Sequence, residues 1–198
     1  IPIARSIDAS SIEIFERTGN PAFEKAATWD LGYVPPLLVH DLDGDGYSDV
    51  VLPGMNTVYW NKGDWRFDEA PLLDRPANIE GNITAAVLAD FTGDGHLDLV
   101  VGNDAQANQL YVNGGVDLVE GAAVWQGFDA AVEITSDALA TTAIAVGDVD
   151  DDGDLDVIAA TSGGNNVLYK NDGSESDPFS ASLPVALGEG SLTANATR

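Results

Sequence analysis

The chain has no cysteine, so neither a disulfide nor a thiolate metal site can hold it together. Lysine and arginine number only 8 against 33 aspartates and glutamates, a formal net charge of −25. That balance excludes nucleic acid and anionic membrane surfaces as expected partners. No apolar run approaches the 18 or so residues that a membrane-spanning helix needs. No signal peptide precedes Ile1, so the sequence reads as a processed mature form or an excised fragment. What remains is a chain of 198 residues with 44% apolar content, enough for one domain with a sizeable core.

The negative charge is not spread evenly. Residues 148–156 read DVDDDGDLD, and the same spacing returns as DLDGDGYSD at 41–49 and DFTGDGHLD at 90–98. Positions 1, 5 and 9 of each nonapeptide are Asp, and position 6 is glycine (Gly46, Gly95, Gly153). Position 3 is Asp43 and Asp150 in the first and third copies but Thr92 in the second. Of the 33 acidic residues, 13 lie in these loops (4, 3 and 6), so a bound cation would neutralise much of the crowding, the alternative being a solvated acidic loop. Alternating oxygen donors round a glycine turn meet the need of a hard cation such as calcium, which takes about 6–8 oxygens in a compact loop. In a chain without disulfides, calcium would take the stapling role.

The loops are not EF-hands. That motif needs a bidentate Glu at its twelfth position and a helix on either side. Here the twelfth residue is Leu52, Val101 or Ala159, and short β-rich apolar runs follow each loop (50–52, 99–101, 157–159). The ion is therefore expected in a turn between two strands, closed by position 9.

Each loop belongs to a longer repeat. Downstream come YWNKG (59–63), YVNGG (111–115) and YKNDG (169–173), a Tyr-x-Asn-x-Gly phrase. Upstream lies another apolar strand (37–39, 85–88, 143–146). Successive loops are 49 and then 58 residues apart, the excess falling in residues 116–142. Repeats of this length with four strands each are the sign of propeller blades. The expected fold is an all-β repeat protein of antiparallel four-stranded blades, β-propeller type, with calcium loops between strands. One repeat domain is expected over 1–198: a partial unit at 1–36, units at 37–80, 81–138 and 139–180, and the start of a further unit at 181–198.

The loop flanked by strands, followed by N-x-L-Y-x-N-x-G from Asn108 and from Asn166, resembles the VCBS and FG-GAP repeats, the integrin-α-like blades of secreted and surface proteins. The resemblance covers roughly residues 11–172. It implies three calcium sites, with side-chain ligands at positions 1, 3, 5 and 9 and a carbonyl ligand at position 7. Those are Asp41, Asp43, Asp45, Tyr47 and Asp49; Asp90, Thr92, Asp94, His96 and Asp98; and Asp148, Asp150, Asp152, Asp154 and Asp156. Thr92 departs from the carboxylate pattern, so the second site is expected to be the weakest.

No Ser-His-Asp set, phosphate loop or Cys nucleophile stands out, and the carboxylates are committed to the loops. His40 and His96 are read as structural and exposed, respectively. Trp29, Trp60, Trp65 and Trp125 are read as covering contacts between blades, with stacking on sugars as the alternative. Asn82 and Asn195 head N-x-[ST] sequons. The function expected is non-enzymatic: a calcium-stabilised extracellular or cell-surface domain, bacterial in origin, for adhesion, recognition or surface structure. Its partner would be a protein or glycan ligand, or further copies of itself. Two alternatives stand beside this. IEIFERTG (12–19) falls in register with the Tyr-x-Asn-x-Gly phrase, and SLTANATR ends the chain like an approach to a fourth loop. The chain would then be a protomer of a filament built by terminal strand exchange, unless those ends pair within one chain or a larger propeller. The other alternative is the scaffold part of a polysaccharide-cleaving enzyme.

Overall fold

The computed structural model describes residues 3–6, 11–17, 23–30, 32, 36–63, 66–71, 82–134, 138–180 and 182–187. Among them there is no α-helix, and the strands pair antiparallel throughout. The first sheet holds β1 (Ile3–Ser6), β2 (Ser11–Arg17) and β3 (Phe23–Asp30), in that order. The second is a four-stranded meander of β4 (Leu38–His40), β5 (Asp49–Leu52), β6 (Thr57–Asn61) and β7 (Phe67–Pro71). Then come β8 (Ile83–Ala89), β9 (Asp98–Asn103) and β10 (Gln109–Tyr111), and a separate hairpin of β11 (Val116–Val119) and β12 (Ala122–Trp125). The short β13 (Val132–Glu133) rejoins beside β10 to give the third sheet four strands, in the order β13-β10-β9-β8. The fourth sheet is β14 (Thr141–Gly147), β15 (Asp156–Thr161), β16 (Asn166–Tyr169) and β17 (Val185–Leu187).

The chain divides into two compact units, Ile1–Glu80 with Gly114–Asp129, and Gly81–Asn113 with Ala130–Arg198. The long second return segment is the reason: the β11–β12 hairpin leaves its own repeat and belongs to the first unit. In that unit Ile12 and Ile14 of β2, two residues apart and so on one face of the strand, meet Val50 and Leu52 of β5. Trp29 of β3 stacks on Tyr59 of β6 at 4.2 Å between ring centres and meets Phe67 edge-on at 5.2 Å. Trp60 likewise meets Trp125 of the hairpin, and Trp125 meets Phe128, at 5.0 and 5.4 Å. These three tryptophans are thus used in packing; Trp65 lies outside the described residues. In the second unit the core joins Phe91, Val100, Leu110 and Ile134 to Val157, Ala159, Val167, Tyr169 and Phe179.

The register repeats. His40, Ala89 and Gly147, each the last residue before a loop, pair with Asp49, Asp98 and Asp156 at position 9. Tyr59, Tyr111 and Tyr169 pair with the first residue after the loop, Val50, Leu99 and Val157. Each acidic loop is therefore the turn between the first two strands of its sheet, as the spacing predicts.

One boundary differs from expectation. Val185–Leu187, placed by sequence in a further unit, instead pairs with β16 and completes the fourth sheet. The segment between turns back on itself, with the N–H of Asp172 donating to the Pro178 carbonyl (2.8 Å) and that of Ser180 to the Asp177 carbonyl (3.1 Å). A second strand then satisfies the free edge of β16. The terminal SLTANATR, with Asn195, lies outside the described residues, as does much of residues 1–20.

Candidate metal centres

Each loop is wound by its own aspartates. The carboxylate at position 1 accepts the N–H of the position-6 glycine: Asp41 from Gly46 (2.9 Å), Asp90 from Gly95 (3.0 Å), Asp148 from Gly153 (3.0 Å). These glycines sit at φ of 92°, 89° and 99°, a conformation that a side chain would strain. The carboxylate at position 5 accepts the N–H of position 7, from Tyr47 (2.8 Å), His96 (2.8 Å) and Asp154 (3.0 Å). Asp45, Asp94 and Asp152 thus point into the loop and cap its turn.

Position 9 is different in kind. Asp49, Asp98 and Asp156 are fully buried. One oxygen of each accepts the N–H of loop position 2, from Leu42 (2.9 Å), Phe91 (2.9 Å) and Val149 (2.8 Å). The other accepts the N–H of the asparagine in the Tyr-x-Asn-x-Gly phrase, from Asn61 (2.9 Å), Asn113 (2.9 Å) and Asn171 (3.0 Å). Those asparagines return the contact: their side-chain amides donate to the carbonyls of Ser48, Leu97 and Leu155 at position 8. The phrase is therefore half of a clasp that ties the loop to the third strand. Sequence reasoning recorded it as a turn and missed the clasp, although its presence after every loop was the available signal.

The last glycine of the phrase sits at a left-handed φ, 71° at Gly63, 70° at Gly115 and 73° at Gly173, which a side chain would strain. A Cβ on Gly63 would sit 3.2 Å from the Tyr47 ring, and one on Gly173 would sit 2.7 Å from the Asp154 carboxylate. The position-7 side chain lies over that glycine, outside the ring of carboxylates.

Two groups of three carboxylates converge: Asp41, Asp43 and Asp49, and Asp148, Asp150 and Asp156, each offering oxygens within 4.8 Å of one another. In the second loop Asp90 and Asp98 have no such third partner, because Thr92 stands at position 3. Its buried hydroxyl donates to Asp98 at 3.3 Å. Electrostatics register the crowding. Burial pushes Asp49 up to about 6, against the N–H groups of Leu42 and Asn61 that favour its charge. Burial raises Asp98 as well, and burial followed by the charge of Asp45 raises Asp43. Asp150 moves the other way, held below the usual carboxylate range by its hydrogen bond to Lys170. One buried oxygen of the converging trio in loop 1, Asp41 Oδ1, has no hydrogen-bond partner among the described residues.

A hard divalent cation fits this donor set, which is all oxygen, anionic and supplied from one short turn. Positions 1, 3 and 9 would hold it in the first and third loops. There it would cancel the repulsion that the fold otherwise bears.

His40 is exposed at the end of β4, and His96, expected to be exposed, is half-buried. The Asn82 side chain is exposed and its amide donates to Asp104 at 3.5 Å.

The sequence profile of the FG-GAP-like repeat matches residues 41–101 and again 90–159, together more than half of the 198 residues. The chain belongs to the FG-GAP-like repeat family. Both matches begin at position 1 of a loop and end within the strand that follows the next one. The family's repeat thus includes the loop, the clasp and the central strand described above. Comparison with curated proteins finds no match. Among the described residues no helix is long and apolar enough to cross a membrane.

Proposed function

We propose that this FG-GAP-like chain is a calcium-stabilised, non-enzymatic extracellular domain for adhesion, recognition or surface structure, its four-stranded sheets serving as propeller blades. The observation that carries the reading is the position-9 aspartate. It is buried, it braces two strands through both oxygens, and in loops 1 and 3 it faces two further carboxylates. A residue so placed couples the fold to whatever cation neutralises it. Ligand binding that favours the folded state stabilises it by mass action, about 2.7 kcal/mol at a hundredfold excess over the dissociation constant. Extracellular sites of this type bind at roughly 10⁻⁴–10⁻³ M. Melting curves recorded in chelator and in rising calcium test the proposal: the midpoint is expected to climb through the millimolar range and to be indifferent to magnesium. Coincident curves would refute it.

The three-stranded N-terminal sheet favours a second reading, as a protomer of a self-assembling extracellular filament. The second, third and fourth sheets have four strands, whereas among the described residues the first has three, with β1 at its edge. A strand contributed by another copy would fill that edge and continue head to tail. Sizing in calcium before and after removal of residues 1–20 tests it, with melting alongside because the deletion also takes Ile12 and Ile14 from the core. Assemblies that survive the deletion unchanged rule out this route.

A further inference from the structure

The chain has only three lysines, and two of them lie on the same ligand position of different loops. Lys170 Nζ is 2.7 Å from Asp150 Oδ2, and Lys62 Nζ is 3.9 Å from Asp43 Oδ2. Both carboxylates are at position 3. The lysines reach them from different slots of the Tyr-x-Asn-x-Gly phrase, the second residue in Lys170 and the fourth in Lys62, so a shared motif does not explain the convergence. The second repeat has Thr92 at position 3 and carries no lysine in its phrase, which reads YVNGG. Cation and carboxylate are present together or absent together.

We infer that Lys62 and Lys170 are tethered counter-ions of the first and third loops, each neutralising the position-3 carboxylate while the loop is empty and yielding it when a divalent cation enters. Asp43 and Asp150 each lie within 4.8 Å of two other carboxylates, so a lysine there relieves repulsion that no other basic group among the described residues relieves. An entering cation meets the ammonium as a like charge on a ligand it needs. Both side chains are long and half-exposed, with side-chain exposures of 41% for Lys62 and 45% for Lys170, so each can swing into solvent. Lys62 also has a resting place, 5.4 Å from the centre of the Trp60 ring. The tether therefore weakens calcium binding and supports the calcium-free fold, and the second loop lacks both effects.

The inference rests on the calcium reading above, and the test separates the two. Calcium titration by calorimetry on the intact chain is compared with Lys170→Met, Asp150→Asn and the double variant, with melting in chelator alongside. Lys170→Met is expected to tighten the third site roughly threefold to tenfold, the effect of one unit charge a few ångströms away in an exposed site. It should also lower the midpoint in chelator and leave it unchanged in saturating calcium. In the Asp150→Asn background the affinity gain should vanish. A merely structural lysine would shift the midpoint equally in both conditions and leave affinity alone, and that result overturns the inference. Calcium binding in the parent that Lys170→Met leaves unchanged or weakens overturns this inference only. No calcium binding by the parent overturns both readings.

Discussion

In the first loop Asp43 brings a third carboxylate to within 4.8 Å of Asp41 and Asp49, whereas in the second Thr92 puts a buried hydroxyl at that position and donates it to Asp98. Nearly everything else coincides. The position-1 carboxylate holds the position-6 glycine in both, position 5 caps position 7 in both, and the buried position-9 aspartate takes the same two N–H groups. Two jobs are therefore separable within nine residues. Positions 1, 5, 6 and 9, with the asparagine of the hairpin, give the turn its shape. Position 3 sets how much negative charge converges.

The largest expected effect comes from breaking the shape. Asp49→Ala removes the acceptor of two buried N–H groups, of Leu42 and Asn61, as well as a ligand. Leaving two such donors unsatisfied costs on the order of 2–5 kcal/mol. The melting midpoint should fall in chelator as well as in calcium. Asp43→Ala removes a ligand, the exposed acceptor of the Asp45 N–H and the partner of Lys62, but leaves no buried donor unsatisfied, so its loss in midpoint should be much larger in calcium than in chelator. Equal losses for the two variants in chelator would show that the clasp and the ligand set are not distinct.

Next comes pH, where the sign can be worked out. Asp49 is raised to about 6 in the fold against an ordinary 3.8, and Asp98 and Asp43 move the same way, all by burial first. Without calcium the protonated carboxyl favours the fold, so this contribution is present below 3.8 and is lost as pH rises through about 6. Calcium takes the ionised form and opposes that loss. The gap between melting midpoints in calcium and in chelator should therefore widen from pH 4 to pH 7. A gap that is constant over that range would contradict the assignment of Asp49.

A smaller change converts one loop toward the other. Thr92→Asp supplies the missing carboxylate and should tighten the second site by roughly tenfold, about 1.4 kcal/mol. It also loses the hydroxyl bond to Asp98 and adds charge in a buried place, so the midpoint in chelator should drop. Calorimetry resolves the site, and an unchanged affinity would mean that position 3 does not reach the ion.

Much of this is legible in the sequence alone. The loops were readable because their ligands are local, every second residue along one turn, and the flanking strands announced themselves as Val-Val-Leu, Leu-Val-Val and Val-Ile-Ala. The clasp was not, because Asn61 reaches Asp49 across 12 residues, and Asn113 and Asn171 reach their aspartates across 15, distances that only the hairpin register makes short. The lysines were hidden for the same reason, since Lys170 meets Asp150 across 20 residues. The place of Val185–Leu187 depended on a turn around Pro178 that carries no repeat signal. Short-range chemistry was visible. Pairing was not.

The smallest expected effect separates the third loop from the other two at position 4. Loops 1 and 2 have Gly44 and Gly93 there, at φ of 72° and 74°, but loop 3 has Asp151 at 61°. An L residue in this left-handed region gives up roughly 1–2 kcal/mol, less for aspartate, whose short polar side chain tolerates it. Glycine removes that strain but loses about 0.4–1 kcal/mol through its freer unfolded chain. The two backbone terms nearly cancel, which leaves charge to decide the sign. Asp151 is exposed and adds a sixth aspartate to its loop without being one of the three that converge. Asp151→Gly should therefore raise the midpoint in chelator by a degree or two, under about 1 kcal/mol for a chain of this size. In saturating calcium, where the ion already offsets the repulsion, the change should shrink toward zero. Gly93→Asp, the reverse exchange in the second loop, should lower the midpoint in chelator. A fall in midpoint on Asp151→Gly would mean that backbone entropy, not repulsion, dominates at position 4.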